Sequence, residues 1–482
     1  MASQDLGGQT VACPRGHENR CGAEWCATCG MPVVDFDVEL EDVLEMLSGW
    51  EKHVSFTKEK VFIGVGDQGC RLVACFHQAW ARQLKASDFL LIESSGDGHA
   101  LPSLESVSPP GGDSRLRPPS RHHIPGSLNK QVGYFGLGER LATADPGIND
   151  SLLKTGIRDS SRKQVMLMVA ALGGGTGGGA SPHTLERARA LNPNCRSLVM
   201  AVMPAGDEPD SAHFNAFCSL SRFIKSDGGP LADMILLVDH ERLMRLRGVD
   251  NKGEEVSNDE LVSHMLAVLT GGIADGGLKQ SDPGYLARMS RSMGIHAFVP
   301  CLAVGRSLEI FGNVTNILES ALACPLAPID CDSIALSFVL VQAPARIAQS
   351  IPEEKLRAEL NRWNKDKFAN LRGGVIQVMH SERGSDRIDV CLLLGGTKLE
   401  VAAKRAKDGF DRFRSVVESE SWEKEFASSN GAVREADQAV RWYDGKLDDT
   451  GSGTEGVYLW TDQNGQDSEV RAEKEPPGRS EP

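Results

Sequence analysis

No apolar run in this chain of 482 residues approaches the roughly 20 residues that a membrane span needs. Residues 1–8 also lack the basic and apolar regions of a secretion signal, so we expect a cytoplasmic protein without a membrane span. Basic residues number 52 and acidic residues 66, which gives a formal net charge of -14. Because no basic stripe offsets this charge, we expect no nucleic-acid patch and no nonspecific adhesion to anionic membranes.

The cysteines are mostly scattered through apolar context, which disfavours a disulfide framework. Four of the twelve nevertheless fall within residues 13–29. Cys26 and Cys29 have the spacing of two thiolates that share one ion. Cys13 and His17 supply a second pair, which completes a tetrahedral set for one structural Zn²⁺. Cys21 is an alternative to His17 as the fourth ligand.

This segment resembles the small zinc ribbons of the type Cys-Pro-x-Gly-His…Phe-Cys-x-x-Cys-Gly, with Trp25 at the aromatic position. The resemblance implies a zinc ribbon over residues 10–34 that recruits a protein partner of unknown identity. Apolar positions recur at helical spacing between Val38 and Met46, which predicts a linker helix within residues 35–59.

A glycine-rich stretch, Gly173-Gly-Gly-Thr-Gly-Gly-Gly-Ala180, follows the apolar run 165–172 and precedes a helical pattern that begins at Ser181. This order predicts a strand, a glycine turn and a helix. Glycines let backbone amides turn toward an anion, and the next helix adds N–H groups and a favourable dipole, so the loop suits phosphates. Thr176 adds one hydroxyl. The stretch lacks the Lys of a P-loop and the spacing of the dinucleotide fingerprint.

Strand and helix patterns alternate through the rest of the chain. Apolar runs bounded by turn residues predict strands over 61–65, 89–92, 197–203 and 234–238, and later over 334–341, 374–379 and 387–394. Helical spacing predicts helices over 71–86, 258–273, 286–293 and 353–364. A turn over 66–70 and a long Gly, Pro and Ser-rich surface loop over 94–126 complete the pattern. The fold class is therefore α/β and Rossmann-like, followed by a second α+β unit.

Residues 60–425 resemble the tubulin/FtsZ superfamily of GTP-dependent filament proteins. Residues 173–179 are similar to its Gly-Gly-Gly-Thr-Gly-[Thr/Ser]-Gly signature, with Gly178 in place of the second hydroxyl residue. Residues 64–70 are similar to its first phosphate loop. The resemblance implies that GTP with Mg²⁺ is held by Gly66, Asp67, Gln68, Gly69, Cys70, Gly173, Gly174, Gly175, Thr176, Gly177 and Gly178.

Three further segments resemble the parts of the family that contact the ribose and the base. Residues 214–216 are similar to the tubulin Tyr-Asn-Ala, which implies a contact for Asn215, although Ala212 stands where an acidic residue is expected. His240 stands where tubulin has the Asn that meets guanine. Asp259 matches the Asp of the FtsZ central helix, whose carboxylate can accept the N1–H and N2–H of guanine. An ordinary structural role remains the alternative for His240, and for Asp259 a helix-start carboxylate favoured by the dipole.

Residues 280–285 stand where the family has a loop that one subunit inserts over its neighbour's nucleotide. The resemblance implies that Gln280 and Asp282 orient the attacking water, although an Asp before Pro also fits a simple turn. Tyr285 replaces the second Asp of FtsZ and the Glu of α-tubulin, and Gln280 replaces the usual Asn. Because hydrolysis requires a positioned water and charge compensation at the γ-phosphate, we expect slow hydrolysis.

The resemblance implies a nucleotide-binding domain over 60–255, a central helix with its loop over 256–300 and an α+β domain over 301–425. The chain after Tyr443 is mostly polar, which predicts a disordered tail over 445–482. The resemblance also implies head-to-tail self-association, a contact that makes open filaments when the rotation does not close. The alternative is a non-polymerising nucleotide-dependent scaffold that recruits its partner through the zinc ribbon. A Rossmann dehydrogenase fits less well, because the glycine pattern near Glu93 differs from the one it requires.

Overall fold

The computed structural model describes residues 10–12, 18–20, 59–80, 87–94, 119–125, 133–157, 164–225, 229–250, 253–270, 283–344, 353–381, 387–419, 432–449 and 459–460. Near the amino terminus, β1 (Thr10–Ala12) and β2 (Glu18–Arg20) pair in antiparallel fashion. The predicted zinc ligands lie outside the described residues, and so does the linker helix predicted before β3. Both therefore stay predictions.

One sheet of eleven strands forms the centre of the described structure. Its strands are β3 (Glu59–Val65), β4 (Ser87–Glu93), β5 (Ser120–His123), β6 (Gln164–Ala171), β7 (Arg196–Met203), β8 (Met234–Asp239), β9 (Ala297–Ser307), β10 (Leu336–Pro344), β11 (Gly373–Ser381), β12 (Arg387–Gly395) and β13 (Leu459–Trp460). Their spatial order is β13-β11-β10-β12-β9-β8-β7-β6-β3-β4-β5.

All neighbouring strands in this sheet run parallel except β12, which is antiparallel to β9 and to β10. In the central register, Ile63 of β3 lies between Leu90 of β4 and Met168 of β6. The predicted apolar runs correspond to eight of these strands, which are largely apolar because helices cover both faces of the sheet. The sequence predicts no strand at β5, β9 or β13. Parallel strands end at a common edge, so β3, β6, β7 and β8 bring their carboxyl ends together at what we term the carboxyl edge.

The helices of the described residues are α1 (Gly66–Trp80), α2 (Phe135–Ala144), α3 (Gly147–Lys154), α4 (Ser181–Leu191), α5 (Asp210–Ile224), α6 (His240–Arg245), α7 (Asn258–Leu269), α8 (Pro283–Met293), α9 (Leu308–Phe311), α10 (Val314–Leu322), α11 (Glu353–Lys367), α12 (Leu399–Ala402), α13 (Lys404–Ser419) and α14 (Ala432–Asp449). Helices α1, α7 and α8 share one apolar core, and α2 to α5 share another with α13 and α14. Helix α7 contacts α1 and also β9, β10 and β12, so it joins the two halves of the sheet. None of the helices in these segments has the length and apolarity of a membrane span.

Two local predictions, for the residues after β3 and after β4, differ from the structure. The turn predicted over 66–70 is wrong, because α1 begins at Gly66. That residue adopts a φ of +74°, which glycine adopts without strain, so one residue reverses the chain and the next four are free to be helical. The loop predicted over 94–126 contains the edge strand β5, whose Ser-Arg-His-His sequence lacks the apolar alternation of a half-buried strand.

The chain between β5 and β6 is fixed by a small polar network. His122 of β5 contacts the Asp145 carboxylate through Nε2 at 2.7 Å and the Ser151 hydroxyl through Nδ1 at 2.9 Å. The Asp145 carboxylate also accepts the backbone N–H of Gly147 at 2.8 Å. These bonds attach the edge strand to the start of α3.

The carboxyl-terminal helix continues further than expected. The disordered tail predicted over 445–482 is wrong in two places, because α14 ends only at Asp449 and because Leu459–Trp460 form β13, which pairs with β11. The buried hydroxyl of Tyr443 accepts hydrogen bonds from the backbone N–H groups of His296 and Ala297, at 3.0 and 2.9 Å. This contact holds α14 against the start of β9.

A buried charged network lies at the opposite, amino edge of the sheet. The Asp233 carboxylate accepts from the Ser197 N–H at 2.9 Å and pairs with Arg291 of α8 at 2.8 Å. Burial opposes ionisation of Asp233, but Arg196 and Arg291 hold the pKa of its carboxyl below the ordinary value. The imidazole Nδ1 of His296 contacts the Asp233 carbonyl oxygen at 2.9 Å.

His296 makes the stability of the fold depend on pH. Burial lowers the pKa of this imidazole from 6.5 to about 4, so the folded protein keeps it neutral. As the pH falls from 6.5 toward 4, unfolded chains bind a proton that folded chains exclude, and this term reduces the free energy of unfolding by about 3 kcal/mol. Urea unfolding at pH 7 and pH 4.5 should show a smaller difference for His296→Gln than for the natural protein.

The exposed His123 provides the matched control, because its replacement by Gln changes no buried group. His123→Gln should show the same loss of unfolding free energy on acidification as the natural protein. An equally large loss in His296→Gln would contradict this assignment.

Candidate functional site

The glycine-rich loop lies at the carboxyl edge, directly after β6. Residues Thr176–Ala180 form a single π-helical turn that leads into α4. The order of strand, glycine turn and helix agrees with the prediction from sequence. The first turn of α1 leaves backbone N–H groups without helical partners, which suits this edge to an anion.

Three glycines of the loop lie against the backbone so closely that a side chain would not fit. A Cβ atom at Gly177 would lie 2.0 Å from the carbonyl oxygen of Ala171, and one at Gly178 would lie 2.6 Å from that of Leu172. A Cβ atom at Gly179 would lie 2.3 Å from the carbonyl oxygen of Phe135. By contrast, Gly174 is exposed and has open space where a side chain would be. The loop is closed on the protein side and open on the solvent side.

The start of α1 meets the same loop. A Cβ atom at Gly66 would lie 3.0 Å from the backbone nitrogen of Gly177, and one at Gly69 would lie 2.4 Å from the carbonyl oxygen of Val169. Asp67 is exposed beside this contact, and Gln68 is half-buried. The structure thus brings together the two glycine segments that the sequence places about a hundred residues apart.

Cys70 faces away from this opening. Its thiol is buried and donates weak hydrogen bonds to the carbonyl oxygens of Gly64 and Ile92, at 3.3 and 3.4 Å. Burial raises the pKa of the Cys70 thiol, so the group stays protonated. Its side chain therefore belongs to the core rather than to the ligand side of the loop.

Thr176 is joined to a residue that the sequence did not indicate. Its hydroxyl hydrogen-bonds to the hydroxyl of Ser94, the residue that follows β4. Ser94 is buried, and Thr176 is half-buried. The position of Ser94 at the end of a predicted strand was the signal that could have found it, because such ends form the ligand-binding edge of parallel sheets.

Asn215 holds the loop in place. Its amide donates to the carbonyl oxygens of Gly133 and Gly173, at 2.7 and 2.8 Å, and accepts from the Phe135 N–H at 3.0 Å. The residue is fully buried on α5. Both amide hydrogens are therefore bonded to the protein, and its side chain joins the glycine loop to the start of α2.

Helix α2 lies across the loop and adds a glycine contact that the sequence motifs did not include. A Cβ atom at Gly138 would lie 1.9 Å from the carbonyl oxygen of Gly175. Glu139 is the next residue, and it pairs with Arg222 of α5 at 3.2 Å. Burial raises the pKa of the Glu139 carboxyl, and the charge of Arg222 opposes the increase. The repeated glycines over 133–138 were a signal for this close approach.

His240 is placed beside a second carboxylate at the carboxyl edge. Its Nδ1 lies 3.6 Å from Glu208, whose carboxylate also accepts the Ala205 N–H at 2.8 Å. A Cβ atom at Gly173 would lie 3.5 Å from the same carboxylate, so Glu208 borders the glycine loop. Glu208 lies a few residues upstream of Asn215, and it supplies an acidic group in this segment despite the alanine at position 212.

Asp239 and Glu241 flank His240 and share one cation. Asp239 caps α6 by accepting the Arg242 N–H at 3.1 Å. Arg405 of α13 contacts Asp239 at 3.1 Å and Glu241 at 2.9 Å. These ion pairs attach α13 to the end of β8.

Asp259 lies in the first turn of α7, which begins with a reciprocal capping box between Ser257 and Glu260. Its carboxylate pairs with Arg71 of α1, with Nε to Oδ2 at 3.1 Å and Nη2 to Oδ1 at 3.3 Å. The Arg71 and Asp259 side chains are 53% and 32% exposed. The helix-start carboxylate predicted from sequence is present, and it already has a cationic partner.

The remaining predicted site residues are not placed. Gln280 and Asp282 lie outside the described residues, as do Cys13, His17, Cys26 and Cys29. Tyr285 lies in the first turn of α8. Within the described segments, His, Cys, Asp and Glu side chains form no group of three that could hold a metal ion.

Comparison with known proteins points to one group. No protein-family model matches the chain. The tubulin-like protein CetZ2 of Haloferax volcanii is 25% identical over 267 residues, which cover 53% of this chain and 69% of that protein.

Two solved structures have a similar fold. CetZ from Methanosaeta thermophila matches with a TM-score of 0.53 and 16% identity over 81% of this chain and 99% of its own. The GDP-bound monomer of CetZ1 from Haloferax volcanii matches with a TM-score of 0.56 and 15% identity over 74% of this chain and 99% of its own. The chain is thus similar to tubulin-like CetZ proteins and has their fold, a mixed α/β fold in which helices cover a mainly parallel sheet.

Proposed function

We propose that this chain binds a guanine nucleotide at the carboxyl edge. The observation that carries the proposal is the convergence of Gly66, Gly138 and Gly177 on one loop whose outer side is open at Gly174. Backbone amides without side chains above them suit phosphate oxygens, and Mg²⁺ accompanies nucleoside triphosphate phosphates. The similar fold of CetZ1, which was solved with GDP, supports the same ligand class.

The nucleotide's contacts follow from the positions of the side chains. Thr176 and Asp67 border the phosphate end, together with the amides of the two glycine segments. Glu208 borders the loop at Gly173, where the ribose would lie, and His240 lies beside Glu208. Asp259 marks the base end, because α1 leads from the phosphate loop to its partner Arg71.

Head-to-tail assembly with slow hydrolysis is the second part of the proposal. It rests on the resemblance of residues 280–285 to the loop that acts on the neighbour's nucleotide, and on the fold shared with tubulin-like proteins. The replacement of an acidic residue by Tyr285 favours slow turnover. It also supports the alternative function, a nucleotide-dependent scaffold that does not polymerise.

The preference for guanine tests the proposed ligand. GTP should bind about ten- to hundredfold more tightly than ATP, because adenine would leave the Asp259 carboxylate without the N1–H and N2–H donors. Asp259→Ala should reduce this preference, and Thr176→Ala should weaken both nucleotides alike because its contact is with phosphate. Calorimetric titration of the three dilute proteins with each nucleotide measures all six affinities.

Glu255→Ala is the matched control, since Glu255 is another exposed carboxylate that pairs with an arginine, Arg247. It should leave the ratio of the two affinities unchanged. Equal binding of GTP and ATP by the natural protein would contradict the proposed ligand.

We also propose that the amino-terminal segment holds one structural Zn²⁺ through Cys13, His17, Cys26 and Cys29. Metal analysis should find one zinc ion per chain in the natural protein and none after the double replacement Cys26→Ser and Cys29→Ser. Cys324→Ser with Cys331→Ser provides the control, because these half-buried cysteines lie far along the chain. Equal zinc in all three proteins would refute the ribbon.

A further inference from the structure

Arg71 is paired with Asp259 at the proposed base position, and the resemblance assigns it no role. Its guanidinium binds the Asp259 carboxylate through two of its N–H donors. A guanidinium has five donors, and a carboxylate has about four lone-pair positions, so both groups keep unused capacity after this contact. Both side chains are also accessible to solvent.

The position of Arg71 relative to the glycine loop is fixed by α1. Gly66 begins the helix against Gly177, and Arg71 follows five residues later, which is about 7.5 Å along the helix axis. Asp259 approaches from the separate helix α7, whose capping box fixes its first turn. The pair therefore lies beyond the phosphate end of the proposed site, on two helices that pack against each other.

The hydrogen-bonding groups of the pair match the donors and acceptors on the edges of guanine. The carboxylate offers two acceptors, which suit the N1–H and N2–H donors. The guanidinium offers a planar fork, and Arg forks bind the O6 and N7 acceptors of guanine in preference to other bases. Adenine carries an amino group at the position of O6, so it would repel the guanidinium donors.

We infer that Arg71 is a specificity residue of the base site, and that it binds O6 and N7 of guanine while Asp259 binds N1–H and N2–H. This inference rests on the proposed guanine ligand. An exposed ion pair alone contributes little to stability, so replacement of Arg71 should change nucleotide selectivity much more than folding.

Two nucleotide analogues separate the two contacts. 7-Deaza-GTP lacks the N7 acceptor, and ITP lacks the 2-amino group. The natural protein should bind GTP about tenfold more tightly than either analogue. Arg71→Gln should abolish discrimination against 7-deaza-GTP and keep discrimination against ITP. Asp259→Asn should abolish discrimination against ITP and keep discrimination against 7-deaza-GTP.

Two further variants complete the experiment. Arg71→Lys keeps the charge but not the fork, so it should also lose discrimination against 7-deaza-GTP. Arg247→Gln removes an exposed, ion-paired arginine elsewhere and should bind all three nucleotides as the natural protein does. Thermal unfolding of each variant should occur within a few degrees of the natural protein, because the replaced side chains are exposed.

The outcomes distinguish this inference from the proposed function. If the natural protein prefers GTP to ATP but binds 7-deaza-GTP equally well, the guanine site stands and the role of Arg71 is refuted. If Arg71→Gln keeps full discrimination against 7-deaza-GTP, the role is refuted as well. If the natural protein binds no guanine nucleotide, the proposed function and this inference both fail.

Discussion

Replacement of Tyr285 by Asp is expected to accelerate GTP hydrolysis about a hundredfold. In the proposed assembly, the new carboxylate would stand at the second acidic position of the loop that orients water over the neighbouring subunit's γ-phosphate. Helix α8 begins at Pro283, so residue 285 occupies its first turn and a carboxylate there is also favoured by the helix dipole. Phosphate release measured over a range of protein concentrations reports the rate.

The increase should depend on protein concentration, because in the proposed mechanism one subunit positions the water and another holds the nucleotide. Tyr285→Phe is the control: it removes the hydroxyl without adding a carboxylate, and should leave the rate low. Asp282→Ala in the accelerated variant should abolish the gain. Rapid hydrolysis by the dilute natural protein, unaffected by Asp282→Ala, would contradict the intersubunit mechanism.

Gly177→Ala should lower the affinity for GTP about ten- to hundredfold and lower the thermal stability as well. The added Cβ atom would lie 2.0 Å from the Ala171 carbonyl oxygen, so the loop must shift away from β6. Gly174→Ala should weaken binding without loss of stability, since its Cβ atom would meet only the incoming ligand. Calorimetric titration and thermal unfolding of the two variants measure the two effects separately.

A glycine outside the site gives the comparison. Gly445 lies on α14 with open space at its Cβ position, so Gly445→Ala should change neither affinity nor stability by much. Full GTP affinity in Gly177→Ala would show that the loop tolerates displacement, and would refute the proposed phosphate site.

Most interior strands could be predicted to within about three residues at either end, because burial on both faces makes them largely apolar. Strand β9 (Ala297–Ser307) was missed, because Pro300 and Gly305 interrupt its apolar run. The runs predicted over 197–203 and 387–394 are strands Arg196–Met203 and Arg387–Gly395. Strand β5 could not be found this way, because an exposed edge strand of Ser, Arg and His has no apolar signal. The start of α1 at Gly66 was missed for a different reason. A glycine in the sequence predicts a turn, but it does not show whether the turn takes one residue or five.

The parts of the candidate site that are formed by neighbouring residues in the sequence could be predicted. The parts that depend on contacts between residues far apart in the sequence could not. The glycine loop and Thr176 lie at the carboxyl edge as expected from the order of strand, turn and helix. Arg71 was missed because its partner, Asp259, is on another helix. Asn215 was predicted near the ligand, but the structure bonds its amide to three backbone groups, which no sequence pattern distinguishes from a ligand contact.

Gly178 stands where the tubulin/FtsZ signature has a hydroxyl residue, and its surroundings limit the side chains that this position accepts. A Cβ atom at position 178 would lie 2.6 Å from the carbonyl oxygen of Leu172. Gly178→Ser would therefore force the turn and the end of β6 apart, because the backbone already fills the space of the added atom. A second hydroxyl in this loop thus requires a compensating substitution that moves the end of β6 away from the turn.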